Sequence, residues 1–381
     1  MQTKSWTTEI RRFLYAPLWT ALLSFPFTGL WRAVGLALIC AAIIALWAAV
    51  TSETAKAFFN RLADSLAPAR KAASRVSAFS STPAAAAVII LLLIVIPLFQ
   101  NDYYRDVLTL TGIYVVLALG LNLVVGQVGL LNLGYVSFYA VGAYTYAILS
   151  TRYGLSFWPG LAAGAVSASI IALFIGLSTL RLRGDYFAIV TLGLGEITRI
   201  VLNNWDGLTG GPNGITRVGR PSLGGYVLSS PGEFYYLILL IALVTVFAMR
   251  RLISSRIGRA WIAIREDEIA AEAMGLNVFR LKLLAFVIAS AWAGIAGVFF
   301  AAKMAFVSPE SFTFSESIMI LSMVVLGGMG SIPGIILGAF LLIALPEVFR
   351  DFQDYRMIGF GAALVVMMIF RPQGLLGGRK N

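Results

Sequence analysis

Apolar runs separated by short polar connectors dominate this chain. They fall near 13–30, 32–50, 84–99, 107–126, 130–150 and 158–180, and then near 186–203, 233–250, 281–303, 315–328, 333–347 and 357–371. Stretches such as AAAAVIILLLIVIPLF (84–99) and FGAALVVMMIF (360–370) offer no charge to water. A bilayer core of about 30 Å needs about 20 mostly apolar residues per helical crossing, which makes these runs about twelve candidate passes. Pro17 and Pro26 interrupt the first run. The runs 315–328 and 333–347 are short for a full crossing, so a broken or re-entrant segment is expected there. The pattern predicts an all-α, polytopic helical membrane protein with about 10–12 transmembrane segments.

Basic residues then orient the passes, because Lys and Arg concentrate in cytoplasmic loops. The N-terminus carries Lys4, Arg11 and Arg12, and the connector 51–83 carries Lys56, Arg61, Arg70, Lys71 and Arg75 against Glu53 and Asp64. RLRGD (181–185), the 250–282 segment and the tail with Arg371, Arg379 and Lys380 are basic too. Alternating passes place all of these, and both termini, on the cytoplasmic side. The loop 204–232 and the turn RDFQDYR (350–356) fall outside, with Arg217 and Arg220 as local exceptions to the charge rule. No A-x-A site follows a short apolar core, so a retained first helix is expected rather than a cleaved signal. Three regions result: an N-terminal hairpin (1–50), a basic cytoplasmic connector (51–83) and a membrane body (84–377). The connector reads either as a helix lying on the inner leaflet or as a plain linker.

Composition narrows the function. Hydrophobic residues make up 59% and charged residues 12%, about half the charge of a soluble domain. The chain has no His and a single Cys, Cys40, inside an apolar run. That rules out an internal disulfide, a Cys/His metal cluster and Ser-His-Asp or Cys-His catalysis. The glycine cluster GLLGGRK lacks the spacing of a phosphate-binding loop, so no cofactor and no intrinsic ATPase are expected. The excess of 29 Lys+Arg over 18 Asp+Glu gives +11, which fits loops on an anionic lipid bilayer rather than a nucleic-acid partner.

One polar segment stands apart from this pattern. REDEIAAEAMG (265–275) opens with the consecutive charges Arg265, Glu266, Asp267 and Glu268. Glu266, Asp267 and Glu268 are placed in the first turn of a short helix, where carboxylates meet unpaired N–H groups and the positive end of the dipole. Gly275 suits the residue just past the end, because it accepts a left-handed backbone. On the residues alone, this is either a solvated loop helix or a docking helix for a soluble partner.

The core AAEAMG (270–275) resembles the coupling-helix motif of ABC importer permeases, with Ile269 where the motif has Glu and Glu268 one residue earlier. Further segments are similar to LivM-type permeases of branched-chain amino acid importers. They are GQVGLLNLGYVSFYAVGAY (126–144), RLRGDYFAIVTLGLGEITRI (181–200), TGGPNGI (209–215), VSPESFTFSESIMIL (307–321), VVLGGMGSIPG (324–334) and RPQGLLG (371–377). The resemblance covers most of 105–377 and implies the ABC importer permease fold in a bacterial inner membrane. It also implies a second homologous permease subunit, two cytoplasmic ATPase subunits and a periplasmic amino-acid-binding protein. In that setting Glu266, Asp267, Glu268, Ala270, Ala271 and Gly275 form the coupling helix, with Ala270 and Ala271 small because a partner closes over them.

Polar residues inside the passes are the remaining candidates. The glycines Gly126, Gly129, Gly134 and Gly142 read either as close helix packing or as a broken helix whose backbone lines a path. In the second reading Gln127, Asn132, Tyr135 and Ser137 are its polar lining. Glu196 and Arg199 sit in an apolar pass at a spacing that lets them pair, as a structural ion pair toward the partner subunit or as a gate. TGGPNGI reads as an outer turn, and GGMGSIPG (327–334) as an inner one. An ATP-driven permease for branched-chain amino acids is thus expected. Its rivals are a permease for urea, short amides or other amino acids, and a self-sufficient secondary transporter. The last would need a relay of buried acids, and few intramembrane acids accompany Glu196.

Overall fold

The computed structural model describes residues 91–182, 184–348 and Gly374. The N-terminal hairpin, the connector 51–83, Arg183, the turn 350–356, the last pass and the rest of RPQGLLG lie outside the described residues. Helical turns over 91–99 lead into α1 (Asp102–Asn122), which runs on as a π-helical turn, Leu123–Val128. Then come α2 (Val136–Tyr153), α3 (Phe157–Thr179), α4 (Asp185–Asn204) and α5 (Pro231–Ser254). Two short helices are next, α6 (Arg256–Glu266) and α7 (Glu268–Ala273), then α8 (Val278–Met304), α9 (Phe314–Gly327) and α10 (Ile332–Val348). Strand is limited to four two-residue pieces among the described residues. Of these, β1 (Ile215–Thr216) pairs with β4 (Phe306–Val307), and β2 (Ser222–Leu223) with β3 (Tyr226–Val227), both antiparallel.

The core forms where α2, α3 and α8 cross. On α3, Gly160, Gly164, Ala168, Ala172 and Gly176 recur every fourth residue and are buried. On α8, Ala285, Ala289, Ala293 and Gly297 repeat the same spacing. In lipid, helices associate through close packing of such small residues. A Cβ on Gly142 or on Gly164 would meet the Gly294 carbonyl, and one on Gly294 would overlap Gly164. The opposite face of α3, with Val166, Ile170, Phe174 and Leu177, is exposed and apolar, as a lipid-facing surface must be.

Five described helical segments are long and apolar enough to cross a membrane: 102–128, 157–179, 231–254, 278–304 and 309–327. The last includes the 3-10 turn Pro309–Phe312 and breaks at Thr313 before α9 begins. α2 is less apolar because it faces protein: ten of its residues, among them Tyr139, Tyr144 and Tyr146, are buried. The predicted pass 130–150 starts late. Gly129 takes a left-handed φ of 83°, and helix resumes only at Val136.

The ends of the helices sort as the alternating passes require. At one end Tyr146 Oη donates to Gly219 O (2.9 Å), Arg152 Nη2 to Gly207 O (2.6 Å) and Trp158 Nε1 to Ser222 O (2.9 Å). At the other, the π turn of α1, the end of α6 and the Gly328–Gly330 turn meet, and Gly374 abuts Gly328.

Candidate functional site

At that second end, α6 and α7 form a bracket braced against α8. Ser255 caps α6 by accepting from Gly258 N (3.2 Å). Trp261 is fully buried, and its indole donates to Leu281 O at 2.8 Å. The boundary between the two helices differs from the sequence reading. Glu266 ends α6 and is not in the first turn of α7. Asp267 is the cap: extended backbone (φ −156°) lets its Oδ1 accept from Ile269 N and Ala270 N, both at 2.9 Å. Glu268 opens α7 and pairs with Lys282 Nζ at 2.7 Å, whose side chain is 5% exposed. Gly275 (φ 84°) closes the helix as expected. Gly275 N donates to Glu272 O (2.9 Å) and Leu276 N to Ala271 O (3.1 Å), the paired bonds of a Schellman ending.

Ala271 does not await a partner, because it is buried in the chain's own core. Ala270 is exposed, and beside it Ile269 is 72% and Met274 84% exposed. Two large apolar side chains thus stand free on a short, rigidly capped helix outside the apolar body.

The break between α1 and α2 carries the polar candidates, all four of which are buried. Gln127 Nε2 donates to Gly330 O at 3.3 Å. Tyr135 Oη donates to Ala289 O at 2.9 Å, and Ser137 Oγ to Gly134 O. Asn132 Oδ1 accepts from Gly134 N at 3.0 Å, while its Nδ2 is buried without a partner. Gly142, Gly126 and Gly134 all sit in close approach, against Gly294, Gly330 and Thr191 respectively, while Gly129 takes the left-handed backbone that ends the π turn. The broken segment is held to α4 by Leu133 N donating to Thr191 Oγ1 (3.1 Å) and by Gly134 against Thr191 and Gly195.

Glu196 and Arg199, next along α4, are paired: Arg199 Nε donates to Glu196 Oε1 at 3.0 Å. Both are partly open on this chain, 41% and 34% exposed, and Glu310 lies within electrostatic reach of Arg199. Glu196→Gln is expected to lower the yield of assembled complex, because Arg199 loses its nearest counter-charge in a low-dielectric setting. Glu196→Gln with Arg199→Met should recover more than Glu196→Gln alone; a double-mutant cycle with no coupling removes the pair from the account.

The sequence reading missed Glu316. It lies in the predicted pass 315–328 and accepts a hydrogen bond from Tyr114 Oη of α1, while neighbouring Ser317 Oγ accepts from Val136 N (3.1 Å) at the start of α2. An acid inside an apolar run was the available signal. Arg265 and Asn122 were also missed as site residues. Arg265 Nη1 donates to Gly126 O, and Asn122 Oδ1 accepts from Gly330 N at 2.8 Å.

Comparison with known proteins now decides the family. Residues 103–370 match the family described as branched-chain amino acid transport system / permease component. The chain belongs to that permease family. It is 50% identical over 294 residues to the high-affinity branched-chain amino acid transport system permease protein LivM of Escherichia coli K12, covering 71% of this chain and 69% of that protein. The corresponding LivM of Salmonella typhimurium is 49% identical over the same length and shares. The LivH permease protein of Salmonella typhimurium is 31% identical over 291 residues, covering 71% of this chain and 92% of LivH. No solved structure matches the chain. A permease of this family is a multi-pass helical membrane protein, and the described helices fit that class.

Proposed function

We propose that this chain is a permease subunit of an ATP-driven ABC importer that carries branched-chain amino acids across the bacterial inner membrane by alternating access. The observation that carries the reading is the 50% identity over 294 residues to a LivM protein. The family match over 103–370 takes in the broken α1–α2 segment and the α6–α7 bracket. The 31% identity to a LivH protein supports a second, homologous permease subunit completing the pore. The chain brings no nucleotide-binding loop of its own. It would take its energy from a pair of cytoplasmic ATPase subunits, one of which docks on the exposed face of α7, and its substrate from a periplasmic amino-acid-binding protein at the opposite end. Asn132 and Glu316 are the polar groups we assign to the translocation path, because one has a spare buried donor and the other is an acid inside a membrane helix. The test is co-purification: the chain should bring down the second permease and the ATPase subunits, and recovery of the chain alone would contradict the assignment.

The orientation has its own test. In a Cys40→Ala background, Asn213→Cys should react with an impermeant reagent added outside intact cells, and Met274→Cys should react only after permeabilisation. Both positions are exposed on the chain, so labelling in the reverse order overturns the sidedness.

A further inference from the structure

We infer that Arg265 is the positioning residue that passes movement of α7 to the broken segment between α1 and α2. This rests on the reading of α7 as the contact for an ATPase subunit. Arg265 lies two residues before the cap Asp267, in the last turn of α6. Its guanidinium donates to Gly126 O in the π turn. Its Cγ lies where a Cβ on Gly129 would come within 2.9 Å, and its Nη1 is 3.5 Å from the place of a Cβ on Gly330. One side chain therefore bonds the π turn and lies beside both the left-handed residue that ends it and the turn between α9 and α10. Gln127 and Asn122 tie the same Gly330 from the α1 side through its O and N.

The bracket behind Arg265 is stiff. Trp261 is buried and bonded to Leu281 O, Glu268 is paired with the buried Lys282, and Ala271 is in the core. These contacts bind both short helices to the start of α8, and only Asp267 separates α6 from α7, so a push on α7 is carried into α6. Arg265 supplies the hydrogen bond from α6 to the π turn among the described residues. The receiving element suits a mechanical role. A π turn holds one residue more than an α-helical turn and recurs at functional sites. Losing that surplus residue would rotate the next stretch of chain, which bears Asn132, by about 100° about the helix axis. A guanidinium also suits the end of a helix, where carbonyls lack partners and the dipole is negative, and its fixed fork can hold several groups at once.

The experiment uses the whole complex in proteoliposomes and reads ATPase-subunit retention, ATP hydrolysis and leucine uptake. Arg265→Gln should keep the ATPase subunits bound and hydrolysis active, while uptake per ATP falls about tenfold, the scale set by one charge-assisted hydrogen bond. Arg265→Lys should recover part of that ratio, because a single ammonium donor reaches the carbonyl without the fork. Should Arg265→Gln fail to assemble, Gln127→Leu cuts the Gly330 link from the other side and is expected to lower the same ratio. A purely structural role predicts hydrolysis and uptake falling together with the ratio unchanged, and that outcome overturns the inference. Ile269→Glu separates the two claims. If it leaves the ATPase subunits bound, the docking reading fails and the relay with it. If it releases them while Arg265→Gln keeps a full ratio, the relay alone fails.

Discussion

Gly294→Val is expected to remove nearly all folded protein from the membrane. At this position α8 meets both α2 and α3: the Gly294 carbonyl lies where a Cβ on Gly142 would go, and a Cβ on Gly294 would run into Gly164. Overpacking a core that can yield costs about 1–3 kcal/mol. Here the obstruction is backbone on two neighbouring helices, so relief requires the helices to separate along the stripe of Gly and Ala residues that holds them together. The expected loss is at or above the top of that range. Gly193→Ala is the control, since a Cβ there meets nothing within 4 Å and gains helix propensity of about 0.5–1 kcal/mol. Size-exclusion profiles of solubilised protein at matched synthesis check this: Gly193→Ala should keep the parental peak and Gly294→Val should lose it. Equal peaks would mean that the three helices do not pack as described.

Ile269→Glu and Met274→Glu carry the second large effect. Both side chains are mostly exposed on a helix capped at each end, and neither supports the chain's own fold. Each substitution should therefore leave the chain inserted and monodisperse. If an ATPase subunit covers these side chains, a carboxylate placed beneath it is buried without a partner, which costs several kcal/mol. Recovery of ATPase subunits in pull-down should then fall by at least about tenfold for each variant, and ATP-driven uptake with it. Undiminished recovery would make α7 a solvated loop helix. Ala271 is the wrong place for this test. Its burial means that Ala271→Arg would disturb the bracket itself, so a loss of binding there would not distinguish docking from misfolding.

Much of this was legible in the sequence for a simple reason: a membrane forces apolar length. The passes over 107–126, 158–180, 233–250 and 281–303 correspond to α1, α3, α5 and α8, because each must hide its backbone in a long helix. The run 186–203 is the helix α4, which carries Asp185, Glu196 and Arg199 and is not among the five segments long and apolar enough to cross a membrane. The late start of α2 was harder to read. Residues 130–135 are apolar enough to pass for helix, and the unwound chain there is held by Leu130 N on Val124 O and by side-chain oxygens of Thr191 and Asn132 on Leu133 N and Gly134 N, with Ser317 on Val136 N where helix resumes. The start of α7 was placed two residues early, since three consecutive acids all suit a first turn and only the extended backbone of Asp267 makes it the cap and Glu268 the first helical residue. Long-range partners were the hardest to read. Tyr135, Arg265 and Glu316 bond groups about 150, 140 and 200 residues away along the chain, and no local pattern marks such a pairing.

The central claim is that this chain forms part of a pore through which ATP hydrolysis drives branched-chain amino acids inward. The most direct measurement is uptake of labelled leucine into proteoliposomes holding this chain, the second permease and the ATPase subunits, with binding protein added on the substrate side. Uptake should require ATP on the α7 side, stop when this chain is omitted, and be competed by isoleucine and valine but not by urea. Uptake that proceeds without ATP on an ion gradient, or ATP-driven uptake of urea in place of leucine, would contradict it.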